Sequence, residues 1–159
     1  MWESLRQDDE KYMQLAMEEA KIAAEQGEVP VGAVVVFQGE VISRAHNECE
    51  TQDDPTAHAE ILAIKKTSKY LKGWRLTDCT IYVTKEPCPM CAGAIYQARI
   101  KRLVYGVGDK KAGAAGTLFN ILQDKRLNHQ VEIVSGVCEK ECQELLQKFF
   151  QKLRQDIVE

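Results

Sequence analysis

An α/β fold, with a mixed sheet carrying helices on both of its faces, is what the hydrophobic patterning of this chain predicts. Strand-like and helix-like segments alternate after an opening hairpin, in the order α-β-β-α-β-α-β-(α)-β-α. The run from Val31 to Phe37 is densely apolar and β-branched, as a strand buried on both sides should be. No low-complexity linker or internal repeat interrupts the 159 residues, which suits a single domain over 1–159 with a sizeable core.

Each element has its own local cause. Tyr12, Leu15, Ala16, Ala20 and Ala23 share one face of a first helix from about Asp9 to Gln26, and Gly27 ends it. Gln38-Gly39-Glu40 turns the chain, so Val41 to His46 returns beside Val31–Phe37 as a hairpin. Asn47 to Pro55 reads as a polar loop. Pro55 and Thr56 mark a helix start just before His58, and Ile61, Leu62 and Ile64 carry that helix to about Tyr70. Cys79 to Thr84 is a third strand. A helix from Pro89 to Gln97 leads to a fourth, Arg102 to Tyr105. A Gly/Ala-rich loop follows, then a short helical piece near Leu118 to Leu122 and a fifth strand, Val131 to Val134. The last helix spans about Glu139 to Arg154, with Leu145, Leu146, Phe149 and Phe150 on or near one face.

Composition narrows the class. Hydrophobic residues make up 45% and charged residues 28%, which places the chain among folded soluble proteins. The acidic start, Met1 to Glu10, has no apolar core of the secretory kind, and no apolar run is long enough to span a bilayer. A cytoplasmic protein without membrane contact is the expectation. Cys49, Cys79, Cys138 and Cys142 then read as reduced thiols. The net charge of −3 argues weakly against nucleic acid, but a basic patch can be local. Lys101 and Arg102, Lys110 and Lys111, Lys125 and Arg126, and the group Lys148, Lys152 and Arg154 each read singly as a solvated face.

Two short stretches carry chemistry: Thr56-Ala57-His58-Ala59-Glu60 and Glu86-Pro87-Cys88-Pro89-Met90-Cys91. One imidazole and two thiolates leave one position of a tetrahedral zinc open, as catalytic zinc sites do. Glu60 is not needed as a ligand and can move protons. Cys88 and Cys91 stand at i and i+3, on one face of a helix. Pro89 suits the first helical position, so Cys88 caps the helix and both thiols sit at its positive end, where thiolate is favoured. His58 and Glu60, at i and i+2, can share a metal only if their helix is just beginning.

Other readings use fewer of these residues. Cys-x-x-Cys alone would suit a thioredoxin-like redox pair, but its flanks do not. Cys88 and Cys91 with Cys138 and Cys142 would make a closed structural zinc site and leave His58 and Glu60 idle. His46 and His129 read as structural or surface histidines.

The H-x-E…P-C-x-x-C pattern is the established signature of the zinc nucleobase deaminases, the tRNA adenosine deaminases among them. The chain resembles the bacterial tRNA-specific adenosine deaminases from about Tyr12 to Arg154. The likeness runs through Glu28 to Val34, Ala45-His46-Asn47, Asp54 to Ile61 and Pro87 to Ile95. The stretches Gly106 to Leu118 and Leu127 to Glu132 resemble the tRNA-acting branch of the superfamily. Lys85 and Ala112 depart from that pattern.

The resemblance implies a three-layer α-β-α cytidine deaminase-like fold with a mixed five-stranded sheet. It implies one Zn²⁺ per subunit on His58, Cys88 and Cys91, with Glu60 as the proton carrier. It implies that a wobble adenosine in the tRNA anticodon loop becomes inosine. Val31 would line the base pocket and Asn47 would hold the flipped base. Asp109 and Lys111 would contact the neighbouring nucleotides, and Phe150 and Arg154 the loop. The resemblance also implies a homodimer, for which the small residues of Ala92 to Ile95 and Gly113 to Gly116 offer a packing surface. From the residues alone, two rivals stay open: a free-base or nucleoside deaminase, and a zinc-stabilised nucleic-acid binding module.

Overall fold

The computed structural model describes residues 2–158, with the Val158 side chain left aside; the ends of the expected 1–159 domain, Met1 and Glu159, lie outside the described residues. Helix α1 (Trp2–Glu25) precedes strands β1 (Gly32–Phe37) and β2 (Glu40–His46). A one-turn helix α2 (Cys49–Gln52) and helix α3 (Ala59–Leu71) follow. Next come β3 (Cys79–Lys85), α4 (Pro89–Gln97), β4 (Arg102–Val107), a 3₁₀ turn (Ile121–Gln123), β5 (Glu132–Val134) and α5 (Glu139–Val158).

The five strands form one sheet in the order β2-β1-β3-β4-β5. β1 pairs antiparallel with β2 and β3, whereas β3 with β4 and β4 with β5 are parallel. The sheet is therefore mixed, as the patterning predicts. Gln38 and Gly39 both have positive φ, 51° and 77°, which is the backbone twist a two-residue hairpin needs.

Strand periodicity sorts the core into two layers. Ala33, Val35, Ile81, Val83, Leu103 and Tyr105 face α3 and α4, while Val34, Val36, Tyr82 and Val104 face α1 and α5. β1 and α1 meet closely. A methyl group at Gly32 would collide with the Ala16 carbonyl, so only glycine lets the helix lie on the strand there. Asp9 pins the same helix to the sheet. It accepts from Arg102 at 2.8 and 2.6 Å and from the Tyr82 hydroxyl at 2.9 Å. Arg102 is therefore spent on the fold and not on a basic face.

The pairing directions decide where function can sit. The start of β1, the end of β2 and the ends of β3 and β4 all fall at one edge. Helices α3 and α4 both begin there. Among the described residues no helix is long and apolar enough to cross a membrane.

Candidate active site

Two helix starts build this edge. Helix α3 begins at Ala59, four residues later than Pro55 suggests. Asp54 is the reason: its Oδ1 accepts from the Thr56 amide at 2.8 Å and the Thr56 hydroxyl at 2.7 Å, which holds a turn in place of helix. His58 is consequently the N-cap, with extended φ and ψ of −77° and 151°, and Glu60 lies in the first turn. This break in backbone geometry lets residues two apart face one site. Helix α4 starts as its sequence predicts, with Cys88 as N-cap and Pro89 at the first position.

His58, Cys88 and Cys91 converge, with their ligand atoms all within 4.8 Å of one another. The imidazole presents Nδ1, 3.6 Å from Cys88 Sγ and 3.3 Å from Cys91 Sγ. Nitrogen and sulfur on a tetrahedral zinc stand about 3.5 Å apart, from bonds of about 2.0–2.1 and 2.3 Å. The donor set therefore fits zinc in both chemistry and spacing. The rival four-cysteine site does not form. Cys138 and Cys142 lie on the opposite side of the sheet, packed with α1.

Electrostatics at the site favour an anionic sulfur. The Cys91 thiol donates to Cys88, and His58 adds to this against burial, so the Cys88 thiol is held down to about 4. Cys91 is pushed up by the same contact, by burial and by Glu60. His58 is raised, chiefly by its Cys88 partner. Burial raises Glu60, which is 4% exposed and hydrogen-bonds Cys91.

A cavity of about 680 Å³ opens over these groups, of a size that takes a nucleobase-sized ligand. His58, Glu60, Cys88, Val31, Asn47, Asp109 and Phe150 all reach its lining. Cys91 is fully buried behind it. Lys111 and Arg154 are exposed and lie outside the lining. Their side chains are left to solvent, away from the metal group.

Asn47 braces the start of α3. Its Oδ1 accepts from the Ala59 amide at 2.8 Å, which leaves the amide N–H pair for a ligand. Asp109 is fixed at both oxygens: Oδ1 accepts from the Lys111 amide at 2.9 Å, and Oδ2 lies 3.2 Å from Lys85 Nζ.

Sequence reasoning missed the groups that hold the rim. Glu86 is 2% exposed and accepts from the amides of Asp109, Ala115 and Thr117 at 3.0, 3.0 and 3.1 Å, and from the Thr117 hydroxyl. It ties down the loop after β4. Glu28 does the same for α2, accepting from the Glu50 and Thr51 amides at 3.1 and 2.7 Å. The signal for Glu86 was a carboxylate directly after a strand, and for Glu28 a carboxylate in the connection between α1 and β1.

Comparison with known proteins follows the same lines. Residues 7–154 match the family model of the MafB19-like deaminases. A tRNA-specific adenosine deaminase of Bacillus subtilis (strain 168) is 55% identical over 146 residues, covering 92% of this chain and 91% of that one. The chain belongs to the tRNA-specific adenosine deaminase family. Another member, from Aquifex aeolicus (strain VF5), is 48% identical over 94% of this chain and 98% of its own. A solved structure from work on A-to-I editing by tRNA:A34 deaminases at the wobble position superposes with a TM-score of 0.83 at 43% identity, covering 86% of this chain and 99% of that one. This bears out the cytidine deaminase-like fold. A guanine deaminase of Bacillus subtilis, 42% identical, covers 68% of this chain and 69% of its own with a TM-score of 0.61. In this member of the tRNA-specific adenosine deaminase family, the H-x-E and P-C-x-x-C stretches are the ones that meet at the cavity.

Proposed function

We propose that this protein is a single-domain, cytoplasmic enzyme that hydrolyses adenosine to inosine at the wobble position of tRNA. Water adds at the amino-bearing ring carbon and ammonia leaves, so adenosine plus water gives inosine plus ammonia. The observation that carries this reading is the triangle of His58, Cys88 and Cys91 beside a buried Glu60 in one cavity. The substrate follows from the relatives.

His58, Cys88 and Cys91 would hold one Zn²⁺ per subunit. A zinc ion bound there supplies Lewis-acid activation of water. Glu60 takes a proton from the attacking water and passes protons to the ring nitrogen and the departing amine, acting as base and then as acid. Burial raises its carboxyl above the ordinary carboxylate range. Val31 closes the pocket around the flipped base, and the Asn47 amide donates to the base while its oxygen holds α3. Asp109 meets the adjacent nucleotide. Lys111 likewise meets a nucleotide next to the target, and Phe150 and Arg154 touch the anticodon loop.

We also infer a homodimer. Ala92, Ile95, Ala114 and Ala115 are spent on the chain's own core. The faces left for a second copy are half-buried Gly93 and Ala94 and the exposed Leu118 and Phe119. Sedimentation across dilution tests this, and a fully active monomer would exclude it.

The likeness to a guanine deaminase keeps a free-base reading in the test. An anticodon stem-loop with a wobble adenosine should yield inosine and ammonia, while adenine, guanine and cytosine should not be turned over. Faster turnover of a free base than of the stem-loop would overturn the substrate assignment.

A further inference from the structure

The cavity wall is a poor match for RNA in one respect. Five carboxylates line it, Glu28, Glu50, Glu60, Glu86 and Asp109, although the proposed substrate is a polyanion. Among the described residues, Lys85 is the lone ammonium or guanidinium group in that lining. It stands at the last position of β3, three residues before Cys88.

The carboxylates are not equivalent. Glu28 and Glu86 are satisfied by backbone amides and a threonine hydroxyl each. Glu60 is withdrawn beside Cys91. Glu50 is exposed, and Asp109, half-buried in the lining, carries a charge that would repel a phosphate. Lys85 Nζ lies 3.2 Å from Asp109 Oδ2 and cancels that charge. An ammonium has three donors and Asp109 takes one of them. The Lys85 side chain is 29% exposed, so its head stays accessible from the cavity.

We propose that Lys85 is a substrate-binding residue of this chain that receives a phosphodiester next to the target nucleoside while neutralising Asp109. This rests on RNA being the substrate. The sequence resemblance does not supply it, since Lys85 is a departure from the family pattern. Glu86 strengthens the placement: its side chain holds the Asp109 amide, so Asp109 is fixed by its backbone and Lys85 has a rigid partner.

The test compares wild type, Lys85→Leu, Lys85→Gln and Lys85→Arg, all zinc-loaded, on one anticodon stem-loop over a fourfold range of KCl. Loss of one phosphate contact on a single strand lowers the slope of log affinity against log salt by about 0.7, or roughly 2.6-fold across that range. Lys85→Leu and Lys85→Gln should therefore raise KM most at low salt and flatten its salt dependence, with kcat within about twofold and zinc content unchanged. Lys85→Arg should restore both KM and slope. Unchanged KM and slope in an active Lys85→Gln would overturn the proposal and leave the substrate reading standing. A fall in kcat with zinc loss would overturn it too, because Lys85 would then act on site assembly. A wild-type protein inert on the stem-loop but active on a free base would remove the substrate reading and this proposal together.

Discussion

The side-chain oxygen of Asn47 accepts a hydrogen bond from the Ala59 amide at 2.8 Å and so joins the end of β2 to the first turn of α3. One residue thereby serves both the fold and the pocket, and the two roles can be separated. Asn47→Asp keeps the acceptor and removes the amide N–H pair. It should melt close to wild type and lose most of its deamination. Asn47→Ala removes both and should also lose about 1 kcal/mol of stability, the usual worth of such a cap. Full activity in Asn47→Asp would show that the amide does not hold the base.

Glu60→Gln and Glu60→Ala should retain stoichiometric zinc and lose turnover by roughly 10²–10⁴-fold, the usual share of a positioned proton carrier. Metal analysis alongside the rate decides it. If zinc leaves with activity, the carboxylate belongs to the metal or the fold.

Cys88→Ser and Cys91→Ser should release zinc, since a neutral hydroxyl replaces a thiolate poorly. Cys138→Ser and Cys142→Ser should keep it, because those thiols lie across the sheet with α1. Zinc lost from either of the second pair would revive the four-cysteine site.

Glu86 makes stability depend on acid. Burial alone would raise its carboxyl, but Thr117 and three backbone amides outweigh that and hold it below its ordinary value of 4.5. A lowered folded pKa contributes stability that is present above about pH 4.5 and lost as pH falls through the folded value. Wild type should therefore lose stability below about pH 4.5 more steeply than Glu86→Gln in urea melts. Glu86→Ala leaves buried amide donors without an acceptor, at about 1–3 kcal/mol for each left unsatisfied. Parallel acid profiles of wild type and Glu86→Gln would show that the carboxylate's charge is not what secures the loop.

Local rules made some of these features legible and others not. The Pro89–Gln97 helix is read to the residue because Pro89 fixes its start. The hairpin is read from Gln38-Gly39, and the metal group from motif spacing. Helix α1 starts at Trp2, well before Asp9, because its first turns are polar and exposed and leave no periodic apolar signal. Helix α2 was hidden in a polar loop, since Glu28, some twenty residues earlier, holds its first amides. The start of α3 depended on Asp54 competing for Thr56, a contact that spacing alone does not rank. Lys85 stood out only as a misfit until Asp109 was beside it.

His58 and Cys88 occupy the N-cap positions of α3 and α4, yet neither gives its helix a side-chain cap hydrogen bond. Residues at such positions ordinarily fasten the helix end. Here they converge with Cys91 on one another, so a metal ion held by the three would be the fastener that ties two helices together. Occupancy and folding would then be one equilibrium. Free zinc at about a hundredfold above its dissociation constant adds about 2.7 kcal/mol to the folded state. With zinc on these residues, the melting temperature would double as a gauge of how much metal the surroundings provide, and a metal-starved cell would hold a less durable enzyme as well as an idle one.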